Sequence, residues 1–184
     1  MTREIVLDTE TTGLDPRTGH RLIEIACIEL EDYLPTGRSF HRYCHPDREI
    51  DPDAQRVHGI SLAFLADKPR FHQPEIWSEM VDFIGDSMLV AHNAPFDRGF
   101  LQRASEQTGV GLVFAIHDTL PLARQAWPTL GAYKLRVLSA HVGAPPPTHR
   151  GLSDARAALA VLMAARSVVI PSSQAQTGAS ALAD

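Results

Sequence analysis

Arg3-Glu4-Ile5-Val6-Leu7-Asp8-Thr9-Glu10-Thr11-Thr12-Gly13 is the stretch from which the rest of the chain can be placed. An apolar, β-rich run ends where Thr11-Thr12-Gly13 breaks into a turn, which predicts a strand over 3–9 with Asp8 and Glu10 at its C-terminal end. Side chains alternate along a strand, so residues 8 and 10 share one face and Thr9 points to the other. Two acids side by side repel each other and lose hydration unless a cation compensates, so the pair could share one metal ion. A polar strand end facing solvent would read the same way, and Asp-x-Glu alone does not choose between the two.

Two further stretches bear on that choice. Met88-Leu89-Val90-Ala91 reads as a short buried strand running into His92-Asn93 and a helix opening, where Pro95 is acceptable near the helix start. That helix carries Phe96, Phe100 and Leu101 inward and places Asp97 in its first turn, although an acid there also suits the helix dipole without any further role. Farther on, Leu152 to Val168 forms an alanine-rich helix with Leu159, Leu162 and Met163 on its buried side and Asp154 about one turn in. His149 lies five residues before Asp154, in a loop behind Pro145-Pro146-Pro147 that limits its conformers. Loop histidines are commonly solvated and this chain has nine histidines, so only its position relative to the acids singles it out. Four carboxylates and one histidine at these spacings suit a two-metal phosphodiesterase.

The expected order is strands 3–9, 21–31 and 39–45, short helical pieces near 51–67, helix 74–85, strand 88–92, helix 95–108, a short strand near 113–116, and helices 118–126, 134–142 and 151–168. Gly13 to Gly19 and Asp32 to Gly37 are the expected hairpin turns. Three meandering strands followed by alternating helix and strand imply an α/β protein with a mixed five-stranded sheet and helices on both faces. No internal repeat is visible. Residues 1–170 form the expected domain. Beyond Ile170 the run Pro171-Ser-Ser-Gln-Ala-Gln-Thr-Gly-Ala-Ser lacks apolar residues to pack, so 171–184 is expected to be a disordered polar tail.

With 184 residues and 44% hydrophobic content, the chain can bury a full core. No apolar run approaches the roughly 20 residues that span a bilayer, and the charged start leads straight into the first strand, so no membrane association and a cytoplasmic location are expected. Cys27 and Cys44 make no disulfide framework and are expected to be reduced, buried and inert. The net charge of −5 argues against broad electrostatic binding of nucleic acid. Setting aside the four site carboxylates leaves −1, close to neutral.

Asp8-Thr-Glu10-Thr-Thr-Gly13, His92-Asn-Ala-Pro-Phe-Asp97 and His149-x-x-x-x-Asp154 resemble the three motifs of the DEDDh (DnaQ-like) 3′-to-5′ exonuclease family, and within it the proofreading ε subunits of bacterial DNA polymerase III. The likeness runs through Ile23-Glu-Ile-Ala26, Pro46-Asp47-Arg48, Val57-His58-Gly59-Ile60, Asp67-Lys68-Pro69 and Asp118-Thr-Leu-Pro-Leu-Ala-Arg124, over about residues 3 to 170. It implies a ribonuclease H-like fold. It also implies that Asp8, Glu10 and Asp154 hold one divalent ion, that Asp8 bridges to a second supported by Asp97, and that His149 is the general base. Hard oxygen ligands select Mg²⁺ or Mn²⁺ over Zn²⁺. A neutral imidazole with pKa near 7 can take a proton from the attacking water.

The same resemblance places Thr11, Val57, His58, His92 and Phe96 around the terminal nucleotide, with Phe96 able to stack on a base. For Val57 and Phe96, core packing is an equal alternative. Two departures stand out: Gly151, where relatives commonly carry alanine, and Tyr133-Lys134-Leu135-Arg136, which does not match the usual Ser-Leu pair. The implied activity is a metal-dependent 3′-to-5′ exonuclease acting on single-stranded DNA 3′ ends and releasing nucleoside 5′-monophosphates, in proofreading, replication or repair. An RNase trimming RNA ends or oligoribonucleotides is the alternative within the family, and a noncatalytic polymerase-associated module the alternative outside enzymes. A DNA polymerase catalytic subunit is a candidate partner. The short tail offers no aromatic or methionine anchor for a sliding-clamp pocket, which leaves polymerase docking open.

Overall fold

A computed structural model of the chain describes residues 2–110 and 114–170. Five strands form one sheet in the order β3-β2-β1-β4-β5, from β1 (Arg3–Thr11), β2 (Leu22–Glu31), β3 (Leu34–Tyr43), β4 (Met88–Ala91) and β5 (Ile116–Asp118). β1 pairs antiparallel with β2, and β2 with β3, whereas β4 runs parallel to β1 and β5 parallel to β4. The helices are α1 (Pro52–His58), α2 (Leu62–Leu65), α3 (Pro74–Ile84), α4 (Ala94–Thr108), α5 (Thr119–Ala126), α6 (Leu135–His141) and α7 (Gly151–Val169). The mixed α/β architecture is the expected one, and none of the described helices is long and apolar enough to cross a membrane.

Strand alternation divides the core into two layers. Ile5, Leu7, Ile25, Cys27 and Leu89 pack with Trp77, Met80 and Ile84 of α3 and Phe100 and Leu101 of α4. Val6, Ala26, Ile28 and Val90 face the other way, against Ala155, Ala158, Leu159 and Leu162 of α7. Small residues let α7 lie close: a Cβ on Gly151 would stand 3.2 Å from both the Ala26 Cβ and the Glu24 Cγ. Glycine at that position is therefore a packing fit to the sheet as well as a loosening of the helix start.

Several boundaries differ from expectation. β3 begins at Leu34, because Asp32 and Tyr33, with φ of 46° and 68°, form a tight two-residue turn. Gly37 lies inside β3, where the register with β2 shifts between Ile28 and Leu30. The last strand lies at 116–118 instead of near 113–116; Asp118 both ends it and accepts from the Leu120 N–H to cap α5. Met163 is exposed, because α7 is wedged between the sheet and the α5–α6 layer. Val161 takes the second buried flank, packing with Ala123 and Leu138. Cys27 on β2 and Cys44 just beyond β3 are buried free thiols, and burial raises both, Cys44 to about 12. The expected tail at 171–184 lies outside the described residues.

Candidate active site

Asp8 and Glu10 stand where β1 runs out, on the face that α7 covers. Thr9 points to the opposite face, as alternation requires, and there donates its hydroxyl to Asp97 Oδ1 at 2.8 Å. α4 packs on that side and delivers Asp97 to the strand end within its first turn. The left-handed Asn93 (φ 64°) opens α4, and its N–H donates to Asp118 Oδ1 at 3.0 Å, so the turn after β4 is tied to the start of α5. The role of Thr9 is not legible in the sequence, because its partner comes from a helix 88 residues away in the chain.

Asp154, in the first turn of α7, is buried and accepts from the Thr148 N–H at 2.8 Å. His149 sits in the loop so tethered, in a left-handed conformation (φ 54°) that costs a non-glycine residue energy and fixes its direction. Its side chain is 56% exposed, and Nδ1 lies 4.0 Å from Asp154 Oδ2. A base at this position reaches solvent, with the neighbouring carboxylate just beyond hydrogen-bond distance. Asp8, Glu10, Asp97, Asp154 and His149 all line one cleft of about 640 Å³, together with Thr9, Leu14, His92 and Phe96.

The expected nucleotide contacts divide between two neighbouring spaces. Thr11, Val57, His58 and Phe96 line an adjoining pocket of about 370 Å³, which shares Thr9, Glu10, Leu14 and Phe96 with the cleft. Val57 is 56% exposed and so is not core. Phe96 is half-buried, its ring 5.0 Å from that of Phe100, and lines both spaces. His58 is buried, with Nδ1 accepting from the Ile60 N–H; Nε2 therefore carries the hydrogen and meets no acceptor in good geometry. Burial pushes its pKa down, partly offset by the Thr11 backbone. His92 lines the cleft, but both its nitrogens are engaged, Nδ1 with the Thr119 hydroxyl at 2.8 Å and Nε2 with the Tyr133 carbonyl at 3.0 Å. Burial lowers its pKa, so it acts as a neutral brace between β4, α5 and the segment before α6.

Leu14 and Glu24 are further residues that the sequence did not single out. Leu14 is 84% exposed at the rim shared by both pockets, an apolar tip with nothing to pack on among the described residues. Glu24, opposite Glu10 in the β1–β2 register, is fully buried; its Oε1 bonds His41 Nε2 at 2.7 Å and its Oε2 has no partner. A glutamate set among apolar neighbours in Ile23-Glu24-Ile25-Ala26 was the available signal.

The electrostatics call for a cation. Burial, then repulsion from Asp97, Glu10, Asp154 and Glu24, raises Asp8 well above the usual carboxylate range. Burial and Asp154 push Glu10 to about 8, burial takes Asp97 to about 7 against its Thr9 hydrogen bond, and burial raises Asp154. Acids held this way favour sharing protons at neutral pH unless a positive ion replaces those protons. Ligand atoms of Glu10, His149 and Asp154 all lie within 4.8 Å of one another, close enough to converge on one ion. The donor set is mostly hard oxygen, so the residues present fit a divalent metal.

The family model described as exonuclease (RNase T type) matches residues 5–162. The chain belongs to this exonuclease family. A DNA polymerase III subunit epsilon of Rickettsia felis is 51% identical over 132 residues, covering 68% of this chain and 56% of that protein. The corresponding subunit of Pasteurella multocida is 42% identical over 135 residues, covering 69% and 53%. This exonuclease-family chain thus spans little more than half the length of the curated relatives it matches. Among solved structures, exonuclease I aligns with a TM-score of 0.82 at 17% identity, covering 92% of this chain and 42% of that one. Exonuclease X in complex with 5′ overhanging duplex DNA aligns with a TM-score of 0.67 at 29% identity, covering 92% and 93%. The fold is ribonuclease H-like, as in these exonucleases.

Proposed function

We propose that residues 1–170 form a 3′-to-5′ exonuclease domain that removes nucleotides from single-stranded or frayed DNA 3′ ends as nucleoside 5′-monophosphates, in proofreading or repair in the cytoplasm. The observation that carries this reading is the meeting of Asp8, Glu10, Asp97 and Asp154, from both faces of the sheet, with His149 in one cleft. Four clustered acids beside a histidine have no use in binding an anionic strand, which they would repel; they suit charge-compensated hydrolysis. DNA is favoured over RNA by the polymerase III epsilon relatives and by the exonuclease X complex with DNA.

In this reading Asp8, Glu10, Asp97 and Asp154 hold two divalent cations, Mg²⁺ or Mn²⁺. Such ions would neutralise the phosphodiester and lower the pKa of the attacking water. His149 takes that water's proton and, being exposed, returns it to solvent. Asp154 steadies His149 by holding the Thr148 N–H. Phe96 and Leu14 bracket the terminal base, Val57 and Thr11 wall its pocket, and His58 offers a buried N–H to the terminal sugar. A DNA polymerase catalytic subunit is the proposed partner, on the strength of the epsilon relatives.

The test incubates purified protein and its Asp8→Ala variant with Mg²⁺ or Mn²⁺ and 5′-labelled single-stranded DNA and RNA of one sequence. A ladder shortening from the DNA 3′ end and absent in the variant is expected. Preference for RNA would transfer the site to RNA ends, and no cleavage of either strand would remove the nuclease reading.

A further inference from the structure

The cleft has two permanent cations among the described residues lining it, Arg124 near the end of α5 and Lys134 at the start of α6, and neither makes an ion pair there. All four of its carboxylates lie at the strand end, and the rest of the protein is close to neutral, so a polyanionic strand finds little general attraction. Cations at the acids would serve the reacting phosphate; other phosphates of the same strand need charge elsewhere. Arg124 and Lys134 are exposed on the wall of that cleft.

The wall is built to stay in place. Tyr133 donates its hydroxyl to the Trp127 carbonyl at 2.6 Å, its own carbonyl accepts from His92, and the Arg124 guanidinium stands 5.6 Å from its ring centroid. Lys134 follows directly, and its carbonyl receives the first N–H groups of α6. Its backbone is thus pinned beside the acids while its ammonium is free to reach a ligand. This is the segment that departs from the Ser-Leu pair common in the family, and the departure adds a charge.

We propose that Arg124 and Lys134 form a phosphate-binding flank that grips the backbone of the nucleic acid strand beyond the terminal nucleotide. The assignment rests on the nuclease reading of the cleft. The flank raises the affinity for a strand without taking part in bond cleavage, which lets a chain of net negative charge hold its substrate.

Lys134→Gln, Arg124→Gln and the double variant would be compared with the unaltered protein on a single-stranded oligonucleotide and on thymidine 5′-(p-nitrophenyl) phosphate, which has no phosphate beyond the reacting one. In the double variant the KM for the strand should rise roughly five- to thirtyfold with kcat little changed, as expected for two exposed charge contacts. The slope of log affinity against log salt should flatten by about 1.4, two contacts at about 0.7 each. The nitrophenyl ester should suffer a much smaller penalty. An unchanged strand KM and salt slope would overturn the flank, as would equal losses on both substrates, which would mean the two residues act through the geometry of the site. Failure of the unaltered protein on both substrates would instead bring down the nuclease reading, and the flank with it.

Discussion

β1 carries a buried acid near its start and two half-buried acids near its end, and the protein treats the two ends in opposite ways. At the start, Glu4 is enclosed and receives both arms of Arg166, at 2.6 and 2.7 Å. Beside it Glu29 on β2 accepts from Arg3, Arg38 and the Thr36 hydroxyl. Burial alone would raise Glu29, yet these partners hold it below the usual carboxylate range. At the far end Asp8 and Glu10 have no arginine or lysine in ion-pairing distance among the described residues, and both are raised. Loss of solvent contact does not by itself make a carboxylate reactive. What matters is whether the fold supplies the counter-charge or leaves it to be supplied from outside.

Substitutions at the two ends should therefore move stability in opposite directions, and only those at the far end should move turnover. Glu10→Gln keeps the shape of the side chain and removes a repelled charge. Turnover should fall on the order of a hundredfold or more, since a metal ligand is weakened, while the metal-free protein at pH 8 should unfold at a higher urea concentration than the unaltered one. A lower urea midpoint would mean that Glu10 has a counter-charge after all. Arg166→Ala strands Glu4 in the interior, and leaving one member of such a pair unmatched costs about 3 kcal/mol, the lower end of the range because Arg166 is 17% exposed. Turnover by the fraction that remains folded should be little changed, and a specific loss of activity would break the division between the two ends.

Much of this contrast could be read from local rules. Alternation along a single strand placed Asp8 and Glu10 on one face, and first-turn positions brought Asp97 and Asp154 to helix starts beside the strand ends. What escaped depended on tertiary neighbours. Thr9 could be assigned a face but not its bond to Asp97, because nothing in either stretch says that α4 covers that face. The β2–β3 turn falls within the expected Asp32 to Gly37 but is shorter, because tyrosine at position 33 is a poor marker of a left-handed residue, while Gly37, the stronger marker, lies within β3. Met163 was placed inward on the assumption of one buried face, whereas α7 buries two flanks. His92 carries a motif position, but its role as a brace appears only with Thr119 and the Tyr133 carbonyl in place.

The subtlest test of the comparison is the pH dependence of stability without metal. Glu10 rises from an ordinary value of 4.5 to about 8 and Asp97 from 3.8 to about 7, with Asp8 and Asp154 raised as well. Between about pH 4 and 8 the native state therefore keeps protons that the unfolded chain has shed. Stability must fall as pH climbs through that window, and the fall continues as Glu10 ionises around its value of about 8. The protons belong to the cluster jointly, so the decline should be spread over the window without a sharp step. Glu29, lowered by its arginines, acts in the other sense: its contribution is present above the ordinary carboxylate pKa and is lost toward acid. In EDTA, the urea midpoint should drop steadily from pH 5 to 8.5; saturating Mn²⁺ or Mg²⁺ should raise it most at the alkaline end, because the ion replaces protons that are then already leaving. A flat profile in EDTA would show that the acidic end is compensated within the fold, and the distinction between the two ends of β1 would disappear.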